Sequence, residues 1–395
     1  MHSLKELYKV GNGPSSSHTM GPLFATKEFL MRYPDCEKVS VKLYGSLALT
    51  GKGHLTDYII QKTLFPLPCT IQMIADEVPP HPNTMVFEGY QNGRKTAQMR
   101  VFSIGGGSIQ IEGEKSKKSR LVYPHRHFKQ IKEYCMTNEL SLPQYVDQME
   151  GKTIDDYLET IYHVMLQAID RGLSTTGVLP GKLQVKRKAS MIYQQKSATS
   201  DDVRQKIVAY AYAVSEENAS GGEIVTAPTC GASGVLPALL RYAVETKSYS
   251  HEQIKDALKV AGLIGNIVKT NASISGAEAG CQAEVGTACS MAAAFLAFLQ
   301  GGSFDQIERA SEIALEHHLG LTCDPIQGYV QIPCIERNAV AALRAMDAAW
   351  LSFYLNHQEA KISFDLVVET MLDTGKDLSD RYKETSQGGL AKKYR

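Results

Sequence analysis

The chain lacks net charge: its 395 residues set 42 Lys+Arg against 42 Asp+Glu. A balanced surface has no general attraction for nucleic acid or anionic membrane, so neither is expected as a partner. Long apolar runs are missing too. The most apolar stretch, Cys289 to Leu299, is too short to span a bilayer and carries a serine. The N-terminus, M-H-S-L-K-E-L-Y-K-V, has no apolar core of the signal-peptide kind. Eight cysteines scattered over a long chain without such a signal point to reduced thiols in the cytoplasm. There is no internal repeat and no low-complexity segment.

What is present is an ordinary soluble balance, 43% hydrophobic and 21% charged, in a chain long enough for two domains and a sizeable core. The periodicity predicts an α+β fold: a small N-terminal α+β domain followed by a larger all-α helical domain. In the first part Met20 to Tyr33 has helical spacing. Val39 to Tyr44, Thr84 to Glu88, Ala97 to Ile104 and Ser108 to Glu112 read as strands. A charged run, Glu114 to Arg120, reads as a solvated loop, and a helical but polar connector follows to about Gly151. Helical spacing then recurs over Thr153 to Arg171, Asp201 to Asn218 behind a Ser200 cap, Ser233 to Thr246, His251 to Lys269, Ala277 to Leu299, Phe304 to His317 and Ile335 to Leu355. The expected division is residues 1–130, a connector over 131–152, and 153–395.

Three glycine- and hydroxyl-rich segments can carry chemistry. G-N-G-P-S-S-S-H-T-M-G-P, residues 11 to 22, leads three hydroxyls and His18 into a helix, where unpaired N–H groups suit a carboxylate. It is either such a pocket, built from Ser15, Ser16, Ser17 and His18, or an elaborate cap. Y-G-S-L-A-L-T-G-K-G-H-L-T-D, residues 44 to 57, fails as a dinucleotide loop because Thr56 stands where the third glycine belongs. His54 follows those glycines and titrates near neutrality, which makes it a candidate general base or a structural histidine. S-G-G-E-I-V-T-A-P-T-C-G-A-S-G-V-L-P, residues 220 to 237, opens another helix, as an anion loop or a close-packing turn.

Cys281, Cys323 and Cys334 stand apart from the other cysteines, spaced C-x41-C-x10-C in A-E-A-G-C-Q-A-E-V-G, H-L-G-L-T-C-D-P and Q-I-P-C-I-E-R-N. Iron–sulfur clusters usually take four thiolates, so three leave one iron open to a substrate oxygen. Cys289 is set aside: on a continuous helix it lies about 12 Å along the axis from Cys281. Cys334 begins a helix, a placement that lowers a thiol pKa. A structural zinc site with His317 or His318 as fourth ligand is the competing metal centre.

At these residues the chain resembles the iron–sulfur-dependent L-serine dehydratases in their single-chain form. The segments carrying the likeness are S-S-S-H-T-M-G-P, G-K-G-H-L-T-D, G-G-G-S-I, A-P-T-C-G-A-S-G, K-T-N-A-S-I-S-G-A-E-A-G-C-Q-A-E-V-G, G-L-T-C-D-P and Q-I-P-C-I-E-R-N-A-V, spread over nearly the whole chain. The resemblance implies a β-type domain similar to an allosteric substrate-binding domain, then an α-type domain holding a [4Fe–4S] cluster on Cys281, Cys323 and Cys334. It implies β-elimination of water from L-serine to pyruvate and ammonia by a cytoplasmic homodimer, in amino-acid catabolism and gluconeogenesis. His54 is the first choice of base and His18 the second. Ser15, Ser16, Ser17, His18, Thr270 and Asn271 are expected to bind substrate. Some members end in a cysteine that covers the open iron; this sequence has no cysteine after Cys334, so that self-capping is not expected. Alternatives are L-threonine or L-cysteine as substrate, a pyridoxal-phosphate lyase using Lys52 or Lys269, and a zinc-stabilised amino-acid sensor.

Overall fold

Alternating apolar residues build the first part of the molecule. The computed structural model describes residues 1–114, 121–151, 153–196, 202–247, 249–356 and 360–394. In it β1 (Val10–Asn12) is followed by α1 (Gly21–Arg32), β2 (Lys38–Tyr44), α2 (Ser46–Thr50), α3 (Thr56–Leu64), β3 (Cys69–Ile74), β4 (Thr84–Gln91), β5 (Arg94–Gly105) and β6 (Ser108–Ile111). Five strands form one sheet in the order β3-β2-β4-β5-β6. β2 runs parallel to β3 and antiparallel to β4. Val39, Val41 and Leu43 share one face with Met85, Phe87 and Val101, packed against Phe29 of α1 and Ile59, Ile60 and Leu64 of α3. The other face carries Glu88 between Lys42 and Lys95, as a sheet with one solvated side allows. The four strands read from the sequence are present. β3 is additional; its alternation, Cys69, Ile71 and Met73 inward, spans only six residues.

The rest is helical: α4 (Phe128–Thr137), α5 (Leu142–Glu150), α6 (Thr153–Ser174), α7 (Ala189–Gln194), α8 (Asp202–Ala219), then a short β7 (Glu223–Val225), α9 (Val235–Lys247), α10 (His251–Asn271), α11 (Gly276–Ala279), α12 (Thr287–Leu299), α13 (Phe304–Glu316), α14 (Cys334–Ser352), α15 (Phe364–Asp377) and α16 (Gly389–Lys393). The expected start of α8 at Asp201 behind Ser200, and residues 115–120 of the charged run, lie outside the described residues. α12 is the centre, packed against α9, α10, α13 and α14. All its residues but Phe298 are buried, which suits a helix that is apolar all round. Gln282–Leu299 is apolar and long enough to cross a membrane, yet 89% of it is buried inside the protein, as in a core helix. Truncating its buried Phe295 to alanine would cost about 3–5 kcal/mol.

The two parts are sewn together by the N-terminus. Met1, Leu4, Leu7 and Tyr8 belong to the helical core. The Tyr8 hydroxyl donates to the Leu258 carbonyl at 3.0 Å. β1 pairs antiparallel with β7, Val10 opposite Val225. The stretch read as a polar connector is amphipathic: Phe128 and Ile131 of α4 and Leu142, Tyr145 and Val146 of α5 join the same core.

One helix differs from the sequence reading. The segment from Ala277 to Leu299 is not continuous, because α11 stops at Gly280 with φ +75°. A side chain there would meet the Leu321 carbonyl oxygen at 2.8 Å and adopt a backbone that favours glycine. A π-helical turn, Gln282–Gly286, then leads into α12. The break sets Cys281 at the head of that turn.

Candidate active site

The three singled-out cysteines line one narrow cavity together with Ser15 and Ser16. Each arrives on a different device. Cys281 follows the Gly280 break, where the Gln282 N–H donates to the Leu321 carbonyl at 3.1 Å. Cys323 sits on a loop tied to the C-terminal segment: its N–H donates to the Tyr382 carbonyl (2.7 Å) and its carbonyl accepts from the Glu384 N–H (2.8 Å). Cys334 is the first residue of α14. Arg337, one turn further, donates to the Thr322 carbonyl at 2.6 Å and reaches Asp324 at 3.5 Å. One guanidinium thus fastens the Cys323 loop to the Cys334 helix.

Two carboxylates complete the cavity wall, Glu284 and Glu384. Glu284 accepts from the Thr229 hydroxyl at 2.7 Å. A β-carbon placed on Gly276 would stand 2.7 Å from a Glu284 oxygen and 3.3 Å from the Cys323 sulfur, so only a bare backbone leaves this cradle open. Burial raises the Glu284 carboxyl above the usual range. Burial, then the nearby Glu284 and Cys281 charges, push Glu384 up to about 8. Cys323 shares its proton with Cys281, which draws Cys281 down and lifts Cys323 well above an ordinary thiol. Cys334 is also raised, first by burial and then by Cys281. The lowering expected from its helix-start position is outweighed, since desolvation of a buried thiolate exceeds the help of one helix terminus.

This donor set fits a thiolate-bound metal group. Three sulfurs and two carboxylates line one buried space, with the Arg337 guanidinium acting on Cys281 and Cys334, and a bound cation would relieve the desolvation that raises Glu284, Glu384, Cys323 and Cys334. Among the described residues no three His, Cys, Asp or Glu side chains converge closely enough for one metal ion. A tetrahedral zinc ion needs such convergence, whereas a cluster of several irons spans thiolates set further apart. His318, a zinc-ligand candidate, instead bonds the Ala314 carbonyl through Nδ1 at 2.7 Å and packs on Gly286. Cys289 is buried in α12 with its sulfur on the Ala341 carbonyl at 3.3 Å, outside the cavity.

The serine segment is both cap and wall. Ser16 to Met20 form a π-helical turn entering α1, and the Ser15 hydroxyl accepts the His18 N–H. The Ser16 hydroxyl accepts the Cys230 N–H at 3.0 Å, which ties this turn to the loop before α9. Of the expected site residues on this side, Ser15 and Ser16 line the cavity, whereas Ser17, His18 and His54 do not. The two histidines are buried, their ring centroids 4.6 Å apart. His18 Nδ1 bonds Ser17 and Nε2 bonds Ser46, both at 2.8 Å. His54 Nδ1 bonds the Thr50 carbonyl at 3.2 Å, while among the described residues its Nε2 has no partner. A carbonyl can only accept, so Nδ1 holds the proton and Nε2 presents a lone pair. Burial lowers His54 to about 4; burial, then His54, lower His18 well below an ordinary imidazole. Gly53, just before His54, faces the Gln327 carbonyl of the loop between Cys323 and Cys334, 3.9 Å from where a side chain would begin.

Thr270 and Asn271 do not join this assembly. They end α10, where the Asn271 amide donates to the Arg126 and Ile267 carbonyls and the Thr270 carbonyl accepts from Arg126. Neither lines the cavity. Lys269 is committed to the Glu6 carbonyl at 2.7 Å. The residues that sequence reasoning passed over are Glu284, Arg337 and Glu384. The first two had a signal: each lies three residues after a cysteine, C-Q-A-E and C-I-E-R, the spacing that stacks side chains along a helix.

A sheet-bearing part joined to a helical part that carries a thiol-lined cavity is the architecture of this protein. The chain belongs to the serine dehydratase family: the family description "Serine dehydratase beta chain" matches residues 3–66 and "Serine dehydratase alpha chain" matches residues 103–391. It is similar along its full length to "L-serine dehydratase 2" of Escherichia coli (strain K12), 40% identical over 453 residues, covering 100% of this chain and 99% of that one. "L-serine dehydratase" of Haemophilus influenzae is 39% identical, covering 100% and 99%, and that of Mycobacterium bovis 38%, covering 98% and 97%.

Proposed function

We propose that the protein is an L-serine dehydratase, converting L-serine to pyruvate and ammonia through β-elimination of water. The observation that carries this reading is the meeting of three cysteines with the Ser15–Ser16 turn on one cavity, in a chain that matches curated L-serine dehydratases end to end. Cys281, Cys323 and Cys334 would hold a [4Fe–4S] cluster, which when bound supplies the Lewis acid that makes hydroxide a tolerable leaving group.

The chain's own residues do the rest. Donors on the turn from Ser15 to His18 take the substrate carboxylate and spread the charge that builds up as the Cα–H bond weakens. The Nε2 lone pair of His54 accepts that proton. As it does, the Cα electron pair forms the Cα=Cβ bond and the Cβ–O bond breaks. The aminoacrylate product tautomerises, and water hydrolyses it to pyruvate and ammonia. Burial of His54 keeps the ring neutral and ready at physiological pH.

We read residues 1–130 as the β-type part, 131–152 as the connector and 153–395 as the cluster-bearing part, with the N-terminal eight residues packed on the helices. A cytoplasmic homodimer serving amino-acid catabolism and gluconeogenesis goes with this reading, and light scattering tests the dimer. The decisive experiment is anaerobic purification with iron and sulfide counts beside a pyruvate assay on L-serine. Protein with a full iron complement that yields no pyruvate would remove the proposal.

A further inference from the structure

We propose that the Glu384 carboxylate receives the α-ammonium group of the substrate, so that the C-terminal strap over residues 379–390 selects amino acids over plain hydroxy acids. The inference rests on reading the cavity as an amino-acid lyase site.

An amino acid such as serine brings three polar groups to any site. Its carboxylate needs donors, its hydroxyl needs an acid, and its ammonium needs an anion. Donors on this cavity come from Ser15 and Ser16, and the sulfurs of Cys281, Cys323 and Cys334 occupy another wall. Among the described residues only Glu284 and Glu384 offer carboxylates there. Glu284 is already engaged, with one oxygen on the Thr229 hydroxyl and the other packed at Gly276. Glu384 is different: among the described residues its carboxylate has neither an ion pair nor a hydrogen-bond donor. A carboxylate held inside a cavity without a partner is costly, and a ligand cation is what relieves it. Thiolates suit iron, whereas a carboxylate is the better partner of an ammonium donor.

The strap is built to hold this side chain in place. Glu384 adopts φ +61°, a backbone that side-chain-bearing residues rarely take, and the surrounding bonds impose it. Its N–H is fixed on Cys323, the Ser386 hydroxyl on the Pro325 carbonyl at 2.7 Å, and the Leu390 N–H on Asp324 at 2.6 Å. Glu384 therefore stands anchored to the same loop as a cysteine of the site and lines the cavity from the C-terminal segment.

The test is Glu384→Gln, which keeps the shape and removes the charge. Kinetics on anaerobically purified enzyme should show KM for L-serine raised at least about 30-fold with kcat changed only a few-fold, the pattern of a lost binding contact. Inhibition by 3-hydroxypropionate, which has no ammonium group, should be unchanged, and iron and sulfide counts should match wild type. An unchanged KM for L-serine overturns the proposal. Equal weakening of L-serine and 3-hydroxypropionate also overturns it, as does loss of iron, which would make Glu384 a metal ligand. If the glutamine variant does not fold, Glu384→Asp should raise KM for L-serine without moving the 3-hydroxypropionate constant, and an unchanged ratio of the two is equally fatal. A wild-type enzyme that forms no pyruvate would instead remove the reading of the function itself.

Discussion

The imidazoles of His18 and His54 lie with centroids 4.6 Å apart and planes tilted by 34°, and their hydrogen bonds give them opposite characters. Both nitrogens of His18 are occupied, by Ser17 and Ser46. His54 spends one nitrogen on a carbonyl and leaves the other buried and bare. On the proposed mechanism His54 would be the base and His18 the ring that fixes the hydroxyl-rich turn beside it.

Replacing His54 with alanine should therefore stop exchange of the serine Cα proton with solvent deuterium and lower kcat by about 10²–10⁴-fold. Iron content and the visible chromophore should stay at wild-type level, because no sulfur is touched. His18→Ala should act more through KM, since the serine turn loses its support. Deuterium exchange persisting in His54→Ala, read by NMR, would move the base elsewhere.

The same burial makes a stability prediction. His54 titrates near 4 in the fold and near 6.5 when unfolded, so above pH 6.5 both states are neutral and the group contributes nothing to pH dependence. Below 6.5 the unfolded chain takes up a proton that the folded chain refuses. Stability then falls as pH drops, and the loss levels off near pH 4 at about 3 kcal/mol. His18, shifted the same way, adds to it. Glu384, raised to about 8, works in the opposite sense, losing stability as pH rises from its unfolded value. The clean measurement is the difference between wild type and His54→Gln in urea titrations at pH 7.5 and 5.0. The variant should lose about 2 kcal/mol less over that interval.

How much of this was legible in the sequence follows from which signals are local. The strands at Val39 and Thr84 and the long helices announce themselves through period, because each buries one face along its own length. The trio of cysteines and the histidine turns were visible as chemistry set in glycine-rich surroundings. The helix break at Gly280 was hidden because alanines and glutamates on either side favour helix, and only the distant Leu321 carbonyl makes the gap necessary. Glu384 was invisible for a similar reason. Its place is set by backbone bonds to Cys323, more than sixty positions earlier by sequence number, and no pattern near Glu384 encodes that. Thr270 and Asn271 show the reverse: a polar segment beside a cysteine motif that ends a helix and bonds to backbone.

Cys323→Ala should abolish both the chromophore and turnover, with bound iron falling toward zero on gel-filtered protein. Cys289→Ala is the control. Its sulfur is equally buried, but it points at the Ala341 carbonyl. That variant should lose about 1–2 kcal/mol of stability and keep its iron. Full iron in Cys323→Ala, or none in Cys289→Ala, would redraw the ligand set.

The strap can be loosened without touching any side chain of the cavity. Gly389 has φ +53°, and a methyl group there would fall 1.9 Å from the Asp324 oxygen that accepts the Leu390 N–H. Asp324 also meets Arg337, so its displacement frees the tail and slackens the fastening between the Cys323 loop and α14. Gly389→Ala should leave the global unfolding midpoint nearly unchanged, because α16 carries little of the core. Local opening should become easier by about 1–3 kcal/mol. Trypsin cleavage after Lys383, a side chain now mostly shielded, should speed up by at least tenfold at a rate set by that opening. The KM for L-serine should rise together with the cleavage rate, since both depend on the strap leaving Cys323. Faster cleavage with an unaltered KM would show that the strap covers the cavity without contributing a contact to the substrate.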